Sequence, residues 1–350
     1  MLSQSIVAFA APLEAIETPT PVPQGSEVLL KVIHCGACHS DVHIHDGYFD
    51  LGAGNKLDLK SVTLPHTLGH EIEGEVVALG PDVRGAKIGE HRVVYPWIGC
   101  GNCPACKRGE ENICGRPRQI GCSPGMAGGY ASHVLVPHSR YLLDYGTTEP
   151  ALAATYMCSG LTAYAAMRKV GKLAEDENVV VLGCGGVGMM GIEFAKALLG
   201  KGPLAADIDE GRLDAAKMAG AAATYNVKTP GAAKQLAADT KGGAAAVVDF
   251  VGSEERFKFA SAAVRKGGKI VLIGLFGGVM TMPLPMFPLR ALTLAGSYVG
   301  TLAEAEEMMA LVRAGKIEPI PVATRPLSLA SRTLDDLRQG KITGRVVLKP

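Results

Sequence analysis

The chain lacks any apolar run approaching the roughly 20 residues that a membrane span requires. Its first residues, MLSQSIVAFAAPLEAIETP, have no basic start and turn acidic early, so a secretory leader is not expected either. Neither sign of charge is in excess: 35 Lys and Arg face 34 Asp and Glu, a formal net charge of +1. That balance excludes the electrostatic footprint of a nucleic-acid binder. Low-complexity tracts and internal repeats are missing, and with 47% apolar and 20% charged residues the composition is that of a folded chain. Cysteine is too sparse for a disulfide scaffold, nine in 350 residues, yet four of the nine fall within fifteen positions. That crowding reads as metal binding in a reducing compartment, with the cytoplasm as the expected location. The length suggests two domains with large cores.

Up to about residue 145 the texture is β-rich, with short runs such as Val28–Ile33, Glu75–Leu79 and Arg92–Tyr95 between Gly and Pro turns. From about 160 to 295 apolar strands (Val179–Gly183, Pro203–Asp207, Ala246–Phe250, Lys269–Gly274) alternate with Ala-rich helices. Such alternation predicts a parallel sheet covered on both faces, a doubly wound α/β domain. Thr301 and Glu304 make a capping box for a helix ending near Gly315, and an apolar strand from Arg345 to Leu348 closes the chain. The stretch 50–64, rich in Gly and Lys, reads as a mobile surface insertion.

The strongest local signal in the second half is Val179-Val-Val-Leu-Gly183-Cys-Gly185-Gly186-Val187-Gly188, an apolar strand running into a glycine-rich turn and a helix. This is the setting of a dinucleotide fingerprint, in which the glycines permit a tight turn and close approach of the pyrophosphate to a helix N-terminus. Asp207 ends the next strand, near the distance at which an acid accepts from both ribose hydroxyls of NAD and repels a 2′-phosphate. A glycine turn that binds nothing is the bland alternative, and Asp209, two residues on, competes with Asp207. Arg212, in the following helix, joins the cofactor-contact candidates.

Cys100-Gly-Asn-Cys103-Pro-Ala-Cys106 and then Cys114 supply four thiolates on one short loop. Four sulfurs complete a tetrahedral zinc shell with no open position, so the site reads as structural, with buried free thiols or an iron–sulfur cluster as the alternatives. Other metal-competent residues are scattered: Cys38 with His39, Ser40, Asp41 and His43; His70 with Glu71; and Cys158. Two thiolates and one imidazole would leave a fourth position open for water or substrate. Asp41 and Glu71 are candidates to orient such ligands. His66, His91 and His138 are equally available by eye, and a cysteine in an Ala-rich helix start is more often a small core residue, so composition leaves the ligand set open.

The segment GHEIEGEVVALGPDV (69–83) resembles the zinc alcohol dehydrogenase signature along its length. GACHSD, CGNCPAC, CSGLTAY and GCGGVG resemble the family's other landmarks in the same order. PHTLGHE, the PW-x-G-x-GNC run, VLIGLFG and the terminal GRVVL are similar to NAD-dependent, tetrameric bacterial and archaeal members. The resemblance implies a GroES-like catalytic domain at 1–158 and 297–350 around a Rossmann NAD-binding domain at 159–296. It implies Cys38, His70 and Cys158 as catalytic zinc ligands, with Glu71 able to approach the metal. Ser40 and His43 resemble a proton relay; Thr162, Ser297 and Arg345 resemble cofactor contacts. Two zincs per chain, NAD and a homotetramer follow from the same likeness.

The chemistry so implied is reversible hydride transfer between a primary or secondary alcohol, aliphatic or aromatic, and NAD, giving the aldehyde or ketone. Zinc acts as Lewis acid on the alcohol oxygen, and Ser40 and His43 carry the hydroxyl proton toward solvent. Trp97, Tyr48 and Phe49 are candidates for the substrate-pocket wall, with Trp97 equally readable as a packing anchor beside the cysteine loop. Phe276, Met280, Met282 and Met286 read as an apolar subunit edge, Met189 and Met190 as core. A zinc-free NADPH-linked reductase of the same superfold, a polyol dehydrogenase and a non-catalytic NAD-binding protein are the rivals. The ligand set and Asp207 argue against the first, Cys158 against the second, and an open site with a relay against the third.

Overall fold

The nine residues Val28–Gly36 form the strand on which the first part of the molecule is built. They are buried almost throughout because strands flank them and the helix Pro150–Thr155 packs over them. The strand runs antiparallel to Glu71–Leu79 with Gly36 opposite Glu71, and to Arg345–Lys349 with Gly36 opposite Val347. His133–Val136 pairs with its first half, and Leu142–Leu143, His91–Val94 and Val322–Pro326 complete a seven-stranded sheet. A smaller sheet sets Leu2–Ile6 between Glu14–Glu17 and His66–Thr67. The capping box at Thr301 forms as expected and starts the helix Leu302–Arg313.

This computed structural model describes residues 1–59 and 62–350. One compact unit comprises residues 1–48, 58–161 and 300–350, the other residues 49–57 and 162–299. The stretch read as a mobile insertion is mostly a β-hairpin, Tyr48–Gly52 with Asn55–Asp58, and residues 49–57 pack within the second unit. There Gly52 lies against the backbone of Gly278, and Phe49, Leu51 and Leu57 line a cavity of about 480 Å³ with Leu275, Met280 and Tyr298. Lys60 and Ser61, also in that stretch, lie outside the described residues.

The second unit holds a six-stranded parallel sheet, ordered Ala223–Asn226, Leu204–Asp207, Val179–Leu182, Ala244–Asp249, Val264–Leu272, Thr293–Gly296. The direction of winding reverses between Val179–Leu182 and Ala244–Asp249, where such sheets open a crevice for ligands. Central strands are almost wholly apolar because helices cover both faces; every residue of Ala244–Asp249 is buried, the closing aspartate included. Val180, Leu182, Val247, Phe257 and Ile270 are central to the core. Met189 and Met190 are buried as expected. Met282 packs against this core, which corrects its assignment to an apolar edge, whereas Phe276, Met280 and Met286 are exposed. Among the described residues no helix is long and apolar enough to cross a membrane.

Candidate active site

Strand register brings the scattered metal-competent residues together. With Gly36 opposite Glu71, the chain two residues past Gly36 meets the chain one residue before Glu71, so Cys38 and His70 converge. Cys158 arrives from a single wide π-type turn, Tyr156–Gly160, between the helices Pro150–Thr155 and Leu161–Val170. Such turns favour functional positions because the extra residue redirects a side chain. One ligand atom each from Cys38, His70, Glu71 and Cys158 lies within 4.8 Å of the others, and all four residues are buried. Cys38 Sγ and Cys158 Sγ are 3.9 Å apart.

His70 Nε2 is fully buried with no hydrogen-bond partner among the described residues, an expensive arrangement unless a cation satisfies it. Its Nδ1 lies 3.2 Å from Asp41 Oδ1, close enough for charge pairing although off the angle of a good hydrogen bond. Asp41 itself is fixed: Oδ2 accepts from the Cys38 N–H at 2.9 Å and the Tyr130 hydroxyl at 3.3 Å, and Oδ1 from the Gly69 N–H at 3.3 Å. The donor set of two sulfurs, an imidazole and a nearby carboxylate fits zinc. Cys158 beside Cys38 holds the Cys38 thiol well below its ordinary value. Burial pushes the Glu71 carboxyl up to about 7, with the Arg345 guanidinium opposing it.

Arg345, expected at the cofactor, stands with its guanidinium 2.5 Å from both Glu71 oxygens and is 5% exposed. The other histidines that spacing left available have hydrogen bonds of their own. His66 Nε2 meets the Gly121 carbonyl at 3.1 Å, His91 Nδ1 meets Glu73 at 3.1 Å, and His138 Nδ1 accepts from the Arg140 N–H at 3.0 Å.

Ser40 and His43 sit three residues apart on the helix His39–Asp46, hence on one face, and both are half-buried. Trp97 combines the two roles weighed for it. Its indole N–H donates to the Met157 carbonyl at 2.8 Å, an anchor, while its ring lies 5.3 Å from that of His70. Phe49 lines the cavity of the second unit described above, and Tyr48 is half-buried where the hairpin begins.

Cys100, Cys103, Cys106 and Cys114 also converge, their sulfurs all within 4.8 Å of one another. Cys103 Sγ lies 3.5 Å from Cys106 Sγ and 3.7 Å from Cys114 Sγ. Backbone N–H groups of Cys100 and Arg116 donate to Cys114 Sγ at 3.3 Å each. Four sulfurs at these separations match a closed tetrahedral zinc shell.

In the second unit Gly183 takes φ +91°, and a side chain on Gly188 would place its Cβ 1.8 Å from the Gly183 carbonyl. Glycine is therefore obligatory where the turn enters the helix Gly186–Leu199, whose first N–H groups, like those of any helix, have no partner within the helix. Asp207 is buried, with Oδ2 accepting from the Cys184 N–H at 2.6 Å and Oδ1 from Ile208 N–H at 2.7 Å and Asp209 N–H at 3.1 Å. Its neighbour Asp209 is occupied as an N-cap, accepting from the Arg212 N–H at 2.9 Å. Ser297 Oγ accepts from Lys169 Nζ at 3.0 Å, Ser297 and Thr162 are buried, and Arg212 is half-buried.

Residues 24–144 match the family model of the alcohol dehydrogenase GroES-like domain, and residues 186–314 that of the zinc-binding dehydrogenases. The chain is 38% identical over 352 aligned positions to an NAD-dependent alcohol dehydrogenase of Sulfurisphaera tokodaii, and 36% identical to one of Saccharolobus solfataricus. In both comparisons all of each chain is covered. Among solved structures, the alcohol dehydrogenase of Aeropyrum pernix superposes with a TM-score of 0.89 at 25% identity over the full length of both chains. The cobalt- and zinc-bound alcohol dehydrogenase of Pyrobaculum aerophilum gives 0.84 at 25% identity, covering all of this chain and 99% of that one.

Proposed function

The chain belongs to the zinc-binding alcohol dehydrogenases with a GroES-like domain, and from that premise we propose which of its residues carry out the reaction. It is an NAD-dependent oxidoreductase interconverting an alcohol and its aldehyde or ketone, with zinc as its metal. Cys38, His70 and Cys158 would hold the catalytic zinc, and Cys100, Cys103, Cys106 and Cys114 the structural one. When bound, zinc would supply Lewis acidity toward the alcohol oxygen and NAD the hydride-accepting capacity the reaction needs. The observation that carries this reading is the buried quartet with an unpartnered His70 Nε2.

Ser40 Oγ takes the hydroxyl proton, and His43, one helical turn further, passes it toward solvent. Asp41 keeps the His70 ring oriented, and Arg345 holds Glu71 in reach of the ligand set. Trp97 forms an apolar wall beside His70, and Tyr48 and Phe49 contribute to substrate contact. Gly183, Gly185, Gly186, Val187 and Gly188 receive the pyrophosphate; Asp207 and Arg212 receive the adenosine half; Thr162 and Ser297 lie with the remainder of the cofactor.

A homotetramer is supported by exposed Phe276, Val279, Met280, Leu284 and Leu289, apolar side chains that a subunit interface would cover. Two sites that depend on reduced thiols favour the cytoplasm. The direct test is reduced-nicotinamide absorbance with primary, secondary, benzylic and polyol alcohols, alongside metal content. Turnover with none of them in zinc-loaded protein would overturn the assignment.

Asp207 leads to a sharper expectation. Its carboxylate excludes a 2′-phosphate, and its Oδ2 also ties down the glycine turn through the Cys184 N–H. Asp207→Ser should therefore narrow the preference for NAD over NADP mainly by weakening NAD, about ten- to a hundred-fold in kcat/KM. Asp207→Asn, which keeps an acceptor for Cys184, should hold NAD better. Equal kcat/KM for both cofactors in the unsubstituted enzyme would refute the role.

A further inference from the structure

The cysteine loop is closed by a carboxylate as well as by its sulfurs. Glu111 lies in the short turn Glu111–Ile113, between the third and fourth cysteines, and is 5% exposed. Its Oε2 accepts from the Gly99 N–H at 3.1 Å, where the chain enters the loop, and from the Tyr141 hydroxyl at 2.8 Å. Its Oε1 accepts from the Arg140 guanidinium at 2.7 Å. Tyr141 is itself anchored: its ring stacks on Tyr95 at 6.1 Å, and its carbonyl accepts from the Tyr95 N–H at 2.8 Å. One side chain thus joins the loop's entrance, its exit and the neighbouring body of the first unit.

Gly99 is also the floor under one ligand. A Cβ on it would lie 2.4 Å from Cys106 Sγ, so the sulfur packs directly against the backbone that Glu111 holds. Moving Gly99 moves the seat of Cys106. We propose that Glu111 is a positioning residue for the four-cysteine centre, keeping the loop ends together so that a sulfur that detaches from the metal is recaptured before the metal escapes. The inference rests on the reading of Cys100, Cys103, Cys106 and Cys114 as a zinc site. The carboxylate acts through Gly99 and Tyr141, outside the ligand set.

Loss of an ion from four thiolates is stepwise, and each re-ligation depends on the local concentration of the free sulfur. Pinning the ends of a fifteen-residue loop raises that concentration, so the clamp should govern release rate above all. The assay is transfer of zinc to a chromogenic chelator in Cys38→Ser protein, where the remaining zinc reports on the loop alone. Two zincs per chain in the unsubstituted enzyme establish the metal reading first, so its failure shows separately. Removal of a buried, charge-assisted acceptor predicts at least about ten-fold faster release in Glu111→Ala. Glu111→Gln keeps an acceptor oxygen but loses the charge facing Arg140, and should fall between, about three-fold.

A general loosening of the fold would instead speed both zincs alike when the substitutions are made with Cys38 intact. Release of the loop zinc at the parental rate, or equal acceleration of both zincs, overturns the proposal. Should Glu111→Ala fail to fold, Glu111→Gln decides by the same two readouts.

Discussion

Cys38→Ser should give a folded chain with one zinc in place of two and a turnover lower by at least about 10³. Serine is close to cysteine in size, so the buried pocket at the start of the helix His39–Asp46 keeps its shape. Its hydroxyl, however, stays protonated where a thiol beside Cys158 and His70 ionises readily, and a neutral oxygen is a poor replacement for an anionic sulfur. The loss should be chemical rather than structural. Cys103→Ser makes the contrast, costing the other zinc and with it thermal stability, because a closed shell contributes to folding directly. Elemental analysis, melting temperature and turnover on the two variants separate the sites. Retention of both metals by Cys38→Ser would show that the wrong residues have been assigned.

Ser40→Ala should leave metal content and NAD affinity almost unchanged while slowing turnover by about 10² to 10⁴. The substitution removes only the oxygen proposed to receive the alcohol's proton; the helix face stays the same and alanine favours it. His43 lies one turn further along, where bulk water can take over part of its work. His43→Gln should therefore cost less than Ser40→Ala and recover partly with added base or at raised pH. Ser40→Thr, which keeps the hydroxyl, should remain active. Near-full turnover of metal-replete Ser40→Ala at neutral pH would mean that the proton leaves by another path.

How far the sequence carried the reading depended on whether an interaction was local. The four-cysteine loop could be read from spacing because its cysteines all fall within fifteen positions. The central strands Val179–Leu182 and Ala244–Asp249 were legible because burial on both faces gives them unbroken apolar runs, Val179–Leu182 and Ala244–Val248. The edge strands Ala223–Asn226 and Thr293–Gly296 escaped notice because a half-exposed edge needs no such run. The convergence of Cys38, His70 and Cys158 depends on a strand register and a widened helical turn, neither of which spacing encodes, so family resemblance had to supply it. The grip of Arg345 on Glu71 spans 274 residues and had no local signal at all. Glu111 was hidden beside Glu110, and only the structure shows which acid turns inward.

The widened turn at Tyr156–Gly160 makes the site sensitive to the length of the gene as well as to its letters. A π-type turn holds one residue more than a regular helix needs, and each helical residue corresponds to about 100° of rotation. Loss of a single codon between Pro150 and Gly160 would let the segment close into an unbroken α-helix. The helix before the turn could then keep its seat against the strands Val28–Gly36 and Glu71–Leu79 only if everything after it rotated by that angle. Cys158 would swing away from Cys38 and His70 although no ligand codon had changed. In a lineage of such chains, substitutions along this helix can accumulate, whereas in-frame insertions and deletions there should be purged.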